Sequence, residues 1–276
     1  FIENAWAPFI YNGNLSKIVM GREEPTDNNG KAMIMAIMII ASYAPDDVRE
    51  RLLNAIKPAI GERMDYFRDI PERIPGYYSF IWPTIQERIN GVIETMDSMD
   101  DSKSPEYSRV YYNMDKVVHK KQDFTFMLSL SSERIGSYEA INQQSYDDWY
   151  IGSGMTYVMT DTKQFGGDWW HLVDRYRIPG TTVDEMEQLI NSEYGLGMPE
   201  NSWAGAVTDG EITAASMQLP GNWRWADTRL VGNKSYFMTG DKIVCLGSDI
   251  KGGKGNTYTI IDNLMLDKKS ADGTAG

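Results

Sequence analysis

The stretch DSMDDSKSPE, residues 97–106, is where the sequence changes period. Before it, apolar residues recur every three or four positions, the spacing of a helix face; after it they recur every two, the spacing of a strand. A polar, acidic run closed by a proline has the composition of a linker. The reading is therefore two domains, residues 1–100 and residues 101–276, with helices first and strands second. A length of 276 residues also exceeds the size at which one compact core is the safest expectation.

Upstream of the boundary, KAMIMAIMIIASYA is apolar on nearly all sides, which suits a helix buried between neighbours. PDDVRERLLNAIKPAI opens with Pro45 in the first turn, places Asp46 and Asp47 where they complement the helix dipole, and aligns Val48, Leu52, Leu53 and Ile56 on one face. WPTIQERINGVIETM repeats the plan behind Pro83, with a stripe of Ile85, Ile89, Val92, Ile93 and Met96.

Downstream, FTFMLSLSS alternates Phe124, Phe126, Leu128 and Leu130 against Thr125, Met127 and Ser129. SYFMTGDKIVCLGSDI reads as a hairpin turning at residues 239–241, and TYTIIDN as a further strand. Several short strands separated by turn signals point to an antiparallel β-sandwich. In DRYRIPGTTVD, residues 174–184, Ile178-Pro179-Gly180-Thr181 reads as a type II turn, because proline presets φ at the first corner and glycine supplies positive φ at the second. Arg175 and Arg177 are expected to brace it.

The formal net charge of -12 argues against a nucleic-acid partner, since affinity for polyphosphate comes chiefly from Lys and Arg displacing counterions. No apolar run approaches the roughly 18 residues of a membrane span, so no membrane partner is expected. The single cysteine, Cys245, excludes an internal disulfide and any Cys-cluster metal site, and reads as a small buried hydrophobe. FIENAWAPFIYNG reads as the middle of a helix running into a turn, without a signal peptide's pattern, and KKSADGTAG as a polar loop. Both ends suggest a piece of a longer chain.

Only two histidines occur, in no HExxH-type spacing. His119, in MDKVVHKK, reads as an exposed strand residue among lysines; His171, after Trp169 and Trp170, as a packed or rim residue. There is no GxSxG, Walker A loop or dinucleotide fingerprint. Eight tryptophans and sixteen tyrosines suit sugar stacking as well as core packing. Trp223 and Trp225 in NWRWAD would share a strand face as a sugar platform or a core pair. A glycosidase carboxylate pair cannot be picked from one sequence, because the separation that matters is spatial.

Five ordered motifs, WAPFIYNGNLSKIVMGRE, MDKVVHKKQDFTFMLSLSSERIGSYEAIN, WYIGSGMTYVM, DRYRIPGTTVD and KSYFMTGDKIVCLGSDI, together resemble polysaccharide lyase family eight, the hyaluronate, chondroitin AC and xanthan lyases. The resemblance implies an α+β two-domain fold: part of an α/α toroid over residues 1–100, followed by the N-terminal portion of an antiparallel β-sandwich over residues 101–276. It implies β-elimination on a uronate-containing acidic polysaccharide and a secreted or periplasmic location. By position, Arg22 in MGRE matches the arginine beside the family's catalytic tyrosine. Glu139 in SYEAIN matches the glutamate that orients this arginine, and Asn142 a substrate-contacting asparagine. The family's tyrosine base, its histidine and its carboxylate-facing asparagine find no match, so the fragment alone is expected to be inactive. No metal site or cofactor is assigned; calcium stays open through the sandwich loops such proteins use, although no DxDxDG-type loop stands in the sequence.

Two departures bear on specificity. The second arginine of hyaluronate and chondroitin lyases, four residues after the first, is here Thr26, preceded by Pro25. The family's EN pair and following glycine are here Gln144, Ser145 and Asp148, which adds negative charge. A non-catalytic glycan-binding protein and a two-carboxylate glycoside hydrolase remain the alternative readings.

Overall fold

A computed structural model describes residues 1–22, 26–68, 82–100, 105–142, 144–160, 164–186, 195–220, 222–223, 226–227 and 229–266. The chain divides into two compact units, residues 1–19 with 25–105 and residues 20–24 with 106–276.

The first unit is helical. Its main elements are α1 (Thr26–Tyr43), α2 (Asp46–Ile60), the short α3 (Met64–Arg68) and α4 (Trp82–Ser98). Pro45 sits one residue before α2 in extended conformation, ψ 153°, and Asp46 and Asp47 occupy the first turn. The anticipated stripes are the ones that pack: Leu52, Leu53 and Ile56 of α2 and Ile89, Val92, Ile93 and Met96 of α4 are buried with Ile34, Ile37, Met38 and Ala41 of α1. Helix α1 is not buried on all sides, as its composition suggested. Ile40 is 45% exposed, because only the stripe at helical spacing meets α2 and α4.

Polar groups finish the helix ends. Arg49 of α2 donates to Ala44 O at 3.0 Å, just past the end of α1, and to Ala41 O at 3.1 Å, which also accepts from Ala44 N at 3.1 Å. Ahead of α1, Ile10–Tyr11 pairs with Asn14–Leu15 around Asn12 and Gly13, both at positive φ (46° and 76°) as a type I′ loop requires. The hairpin lies against α1 so closely that a Cβ on Gly30 would stand 2.0 Å from Gly13 O.

The second unit is built on two four-stranded antiparallel sheets. One comprises β1 (Tyr107–Tyr111), β2 (Lys116–Lys120), β3 (Thr125–Ser129) and β4 (Met155–Met159), each paired with the next. The other comprises β5 (Ala204–Thr208), β6 (Thr213–Gln218), β7 (Val231–Thr239) and β8 (Lys242–Lys251), again in sequential order. Val117, Phe126, Leu128 and Leu130 from the first sheet and its margin share one core with Ala215, Met217, Tyr236 and Met238 of the second. The expected hairpin turn is present: Thr239 pairs with Lys242, and Gly240 takes φ +56° at the first loop position, where a II′ loop demands glycine.

Several expectations are corrected. Strand β3 is buried at every position rather than on alternate ones, since Thr125, Met127 and Ser129 are covered as well as the core-facing Phe126 and Leu128. His119 is fully buried: its Nε2–H donates to Gly240 O at 2.8 Å, and its Nδ1 accepts from the Ser108 hydroxyl. Cys245 is exposed, because it stands on β8, the edge strand. His171 is exposed on the helix Gly167–Leu172, while Trp169 and Trp170 take the buried positions. Asn222–Trp223 pairs antiparallel with Ala226–Asp227, so NWRWAD is not one continuous strand. Trp225, Pro25, residues 101–104 and the KKSADGTAG tail lie outside the described residues. Among the described residues no helix is long and apolar enough to cross a membrane.

Candidate active site

Gly21 takes φ +59° and turns the chain immediately before Arg22, within the short segment Met20–Glu24 that belongs to the second unit. Glu139 lies on the two-residue strand Glu139–Ala140, paired with Gly195–Leu196. Tyr138 anchors that strand: its buried ring packs 5.3 Å from the Trp149 ring, and a Cβ on Gly197 would sit 1.9 Å from the tyrosine ring. Burial pushes the Tyr138 pKa up, and the Asp148 charge pushes it further.

Arg22 and Glu139 meet. Arg22 Nη1 donates to Glu139 Oε2 at 3.1 Å, and Nε donates to Gln144 Oε1 at 3.2 Å. The Ser145 hydroxyl holds the Arg22 backbone carbonyl at 2.8 Å. Side-chain exposures of 32% for Arg22 and 29% for Glu139 leave the pair half-open to solvent, with Arg22 Nη2 and Glu139 Oε1 unengaged among the described residues. The result is a cation fixed by two acceptors and still able to donate, an arrangement suited to an anionic oxygen or a developing negative charge.

Asn142 lies on the same loop without joining the pair. Gln144 N bonds Ile141 O at 3.0 Å, which makes Asn142 a turn corner at φ +54°, a conformation asparagine tolerates. It is exposed and makes no hydrogen bond to Arg22 or Glu139. Gln144 and Ser145, read in the sequence only as departures, hold Arg22 besides Glu139 among the described residues. Asp148 does not add negative charge to this surface, since its buried carboxylate is bonded to Arg175 Nη1.

That bond explains the loop at residues 174–184. Arg175 also donates to Trp170 O at 2.8 Å, and Arg177 to Asp174 at 2.7 Å. Gly180 has φ +82° and Thr181 N returns to Ile178 O at 3.3 Å, closing the type II turn. Both arginines brace the loop. Among the described residues no group of three or more His, Cys, Asp and Glu side chains stands together as a metal site.

The fold has counterparts among known proteins. A family model described as polysaccharide lyase family 8, super-sandwich domain, matches residues 106–275. This chain belongs to that family. It is 30% identical over 279 residues to a hyaluronate lyase of Thermasporomyces composti, covering 96% of this chain and 34% of the relative. It is 30% identical over 273 residues to a xanthan lyase of Bacillus sp. strain GL1, covering 96% and 27%. The solved chondroitin AC lyase of Streptomyces coelicolor A3 in complex with chondroitin sulphate superposes with a TM-score of 0.75 at 26% identity, covering 95% and 36%. The chain therefore spans 27% to 36% of the lengths of these three proteins.

Proposed function

We propose that this chain is part of a polysaccharide lyase that cleaves a uronate-containing acidic glycan by β-elimination. In that reaction a base removes the proton at C5, the bond from C4 to the linking oxygen breaks, and a C4–C5 double bond forms. An unsaturated uronate is left on the new end. The chemistry requires a base and a means of stabilising the enolate-like intermediate, and needs no metal in principle.

The observation that carries the reading is the 3.1 Å contact between Arg22 and Glu139, the two residues whose positions match the family's paired arginine and glutamate. Arg22 would lower the pKa of an adjacent tyrosine base and stabilise developing negative charge. Glu139, with Gln144, orients it. Asn142, at its exposed turn corner, is the substrate contact. The base and its partners have no match here, so turnover belongs to a longer protein, in which the helical unit closes an α/α toroid and the sheets begin a β-sandwich. A secreted or periplasmic setting suits a polymeric substrate of this kind.

The test is an assay of the complete reading frame on hyaluronan, chondroitin and pretreated xanthan, following the ultraviolet absorbance of the unsaturated uronate. Absorbance on any of them supports the reading. Binding without turnover would favour a glycan-binding protein, and cleavage without the chromophore a hydrolase.

A further inference from the structure

At the margin of the first sheet, the turn between β1 and β2, β5 and Arg134 enclose an open cavity of about 280 Å³. That is near the lower limit of about 300 Å³ for small-molecule sites, a size for one sugar ring rather than a chain. None of its lining residues belongs to the Arg22–Glu139 cluster.

Its charged groups are two cations, Lys116 and Arg134, against one carboxylate, Asp115. They are held in place. Asp115 is buried at φ +53°, its backbone carbonyl accepts from Leu130 N at 2.9 Å, and its carboxylate accepts from the Ser132 hydroxyl and from Arg134 Nη2. Arg134 Nη2 also donates to Ala204 O at 2.8 Å, which leaves Nε and Nη1 unspent among the described residues while the side chain is 44% exposed. Buried Lys116 donates to Ser129 Oγ at 2.6 Å. Burial lowers its pKa to about 8, so the cation that the cavity offers to solvent is Arg134.

At the rim stand an aromatic face and an amide without internal employment. Tyr112 is 59% exposed, and Asn113 is exposed with no side-chain hydrogen bond among the described residues. An exposed aromatic ring stacks on the apolar face of a pyranose, and an amide both donates to and accepts from sugar hydroxyls. A guanidinium with unspent donors recognises a carboxylate.

We infer that this cavity binds a single carboxylate-bearing pyranose, a uronic acid residue, with Arg134 taking the carboxylate, Tyr112 stacking on the ring and Asn113 bonding its hydroxyls. The assignment does not depend on elimination, so its failure leaves the lyase reading where it stands.

The experiment titrates this chain with free glucuronic acid and, separately, with glucose, followed by amide chemical shifts. Expected are glucuronate-dependent shifts at residues 110–116 and 204–206, with glucose at least about tenfold weaker. Tyr112→Ala and Asn113→Ala, both exposed, should each weaken binding severalfold with an unchanged melting temperature. Arg134→Lys should weaken glucuronate more than glucose. Equal affinity for the two sugars, shifts confined to other residues, indifference to Tyr112→Ala and Asn113→Ala together, or no glucuronate binding would each overturn the inference.

Discussion

Glu139 holds the Arg22 guanidinium at 3.1 Å across a sequence separation of 117 residues, and Gln144 holds the same guanidinium from its other side. A half-exposed ion pair of this kind adds at most about 1 kcal/mol of stability, so its value lies in fixing where a positive charge points. In the full-length protein, Glu139→Gln is expected to lower kcat by roughly a hundredfold or more, the scale of losing preorganised charge stabilisation, with melting temperature nearly unchanged. Arg22→Lys should not restore activity, because an ammonium lacks the planar fork that two acceptors fix. Steady-state kinetics and thermal melts of both variants check this. Unaltered kcat in Glu139→Gln would remove the orienting role.

The turn at Gly180 should be intolerant of a side chain. Its φ of +82° disfavours any other residue, and a Cβ would lie 2.6 Å from Gly154 O and from Thr156 Oγ1. Gly180→Ala is expected to destabilise the chain by more than about 1 kcal/mol. Gly91→Ala, in α4 with nothing near the new Cβ, should instead stabilise it by about 0.5–1 kcal/mol. Denaturant midpoints of the two variants should move in opposite directions.

His119 makes stability depend on acid. Burial is the main cause that holds its pKa below the ordinary 6.5. As pH falls below about 6.5 the unfolded chain takes up a proton that the folded chain resists, so stability is fully present above that value and is lost as pH descends toward the folded pKa. His119→Gln, which keeps hydrogen-bonding capacity without titrating, should flatten this part of the curve. Equal slopes for wild type and variant between pH 7 and pH 5 would contradict the buried neutral form.

Lys116 and Lys234 act in the alkaline range. Burial lowers both to about 8 from 10.5. Between those values the unfolded chain binds more protons, so stability rises with pH across the window and both lysines oppose folding at pH 7. Lys234→Met, replacing an ammonium bonded to Gly180 O, should leave the chain about 1–3 kcal/mol more stable at pH 7. The advantage should shrink as pH approaches 10.5. Urea unfolding at both pH values reads it.

Elements whose signal is local were legible in the sequence. The stripes of α2 and α4 follow from helical spacing, and the turn at residues 178–181 from a proline and a glycine at the corners. Burial that depends on what covers a strand was not. MDKVVHKK reads as a polar strand, yet His119 points into a place where Ser108 and Gly240 satisfy both ring nitrogens. VCLGSD reads as core, yet Cys245 stands on an edge strand. For the site, no spacing rule brings Arg22 to Glu139; the resemblance selected both, and geometry added Gln144 and Ser145. Tyr112 lies in no motif and Arg134 inside one that gave it no role, because their meeting depends on a turn and a distant strand.

The most direct measurement of the central claim is the mass of the oligosaccharide released when the complete protein acts on a uronate-containing glycan. Elimination predicts a new non-reducing end lighter by one water than the hydrolytic product, with the ultraviolet absorbance of a C4–C5 double bond. A released product carrying the full water of hydrolysis, or no product from hyaluronan, chondroitin or xanthan, would contradict it.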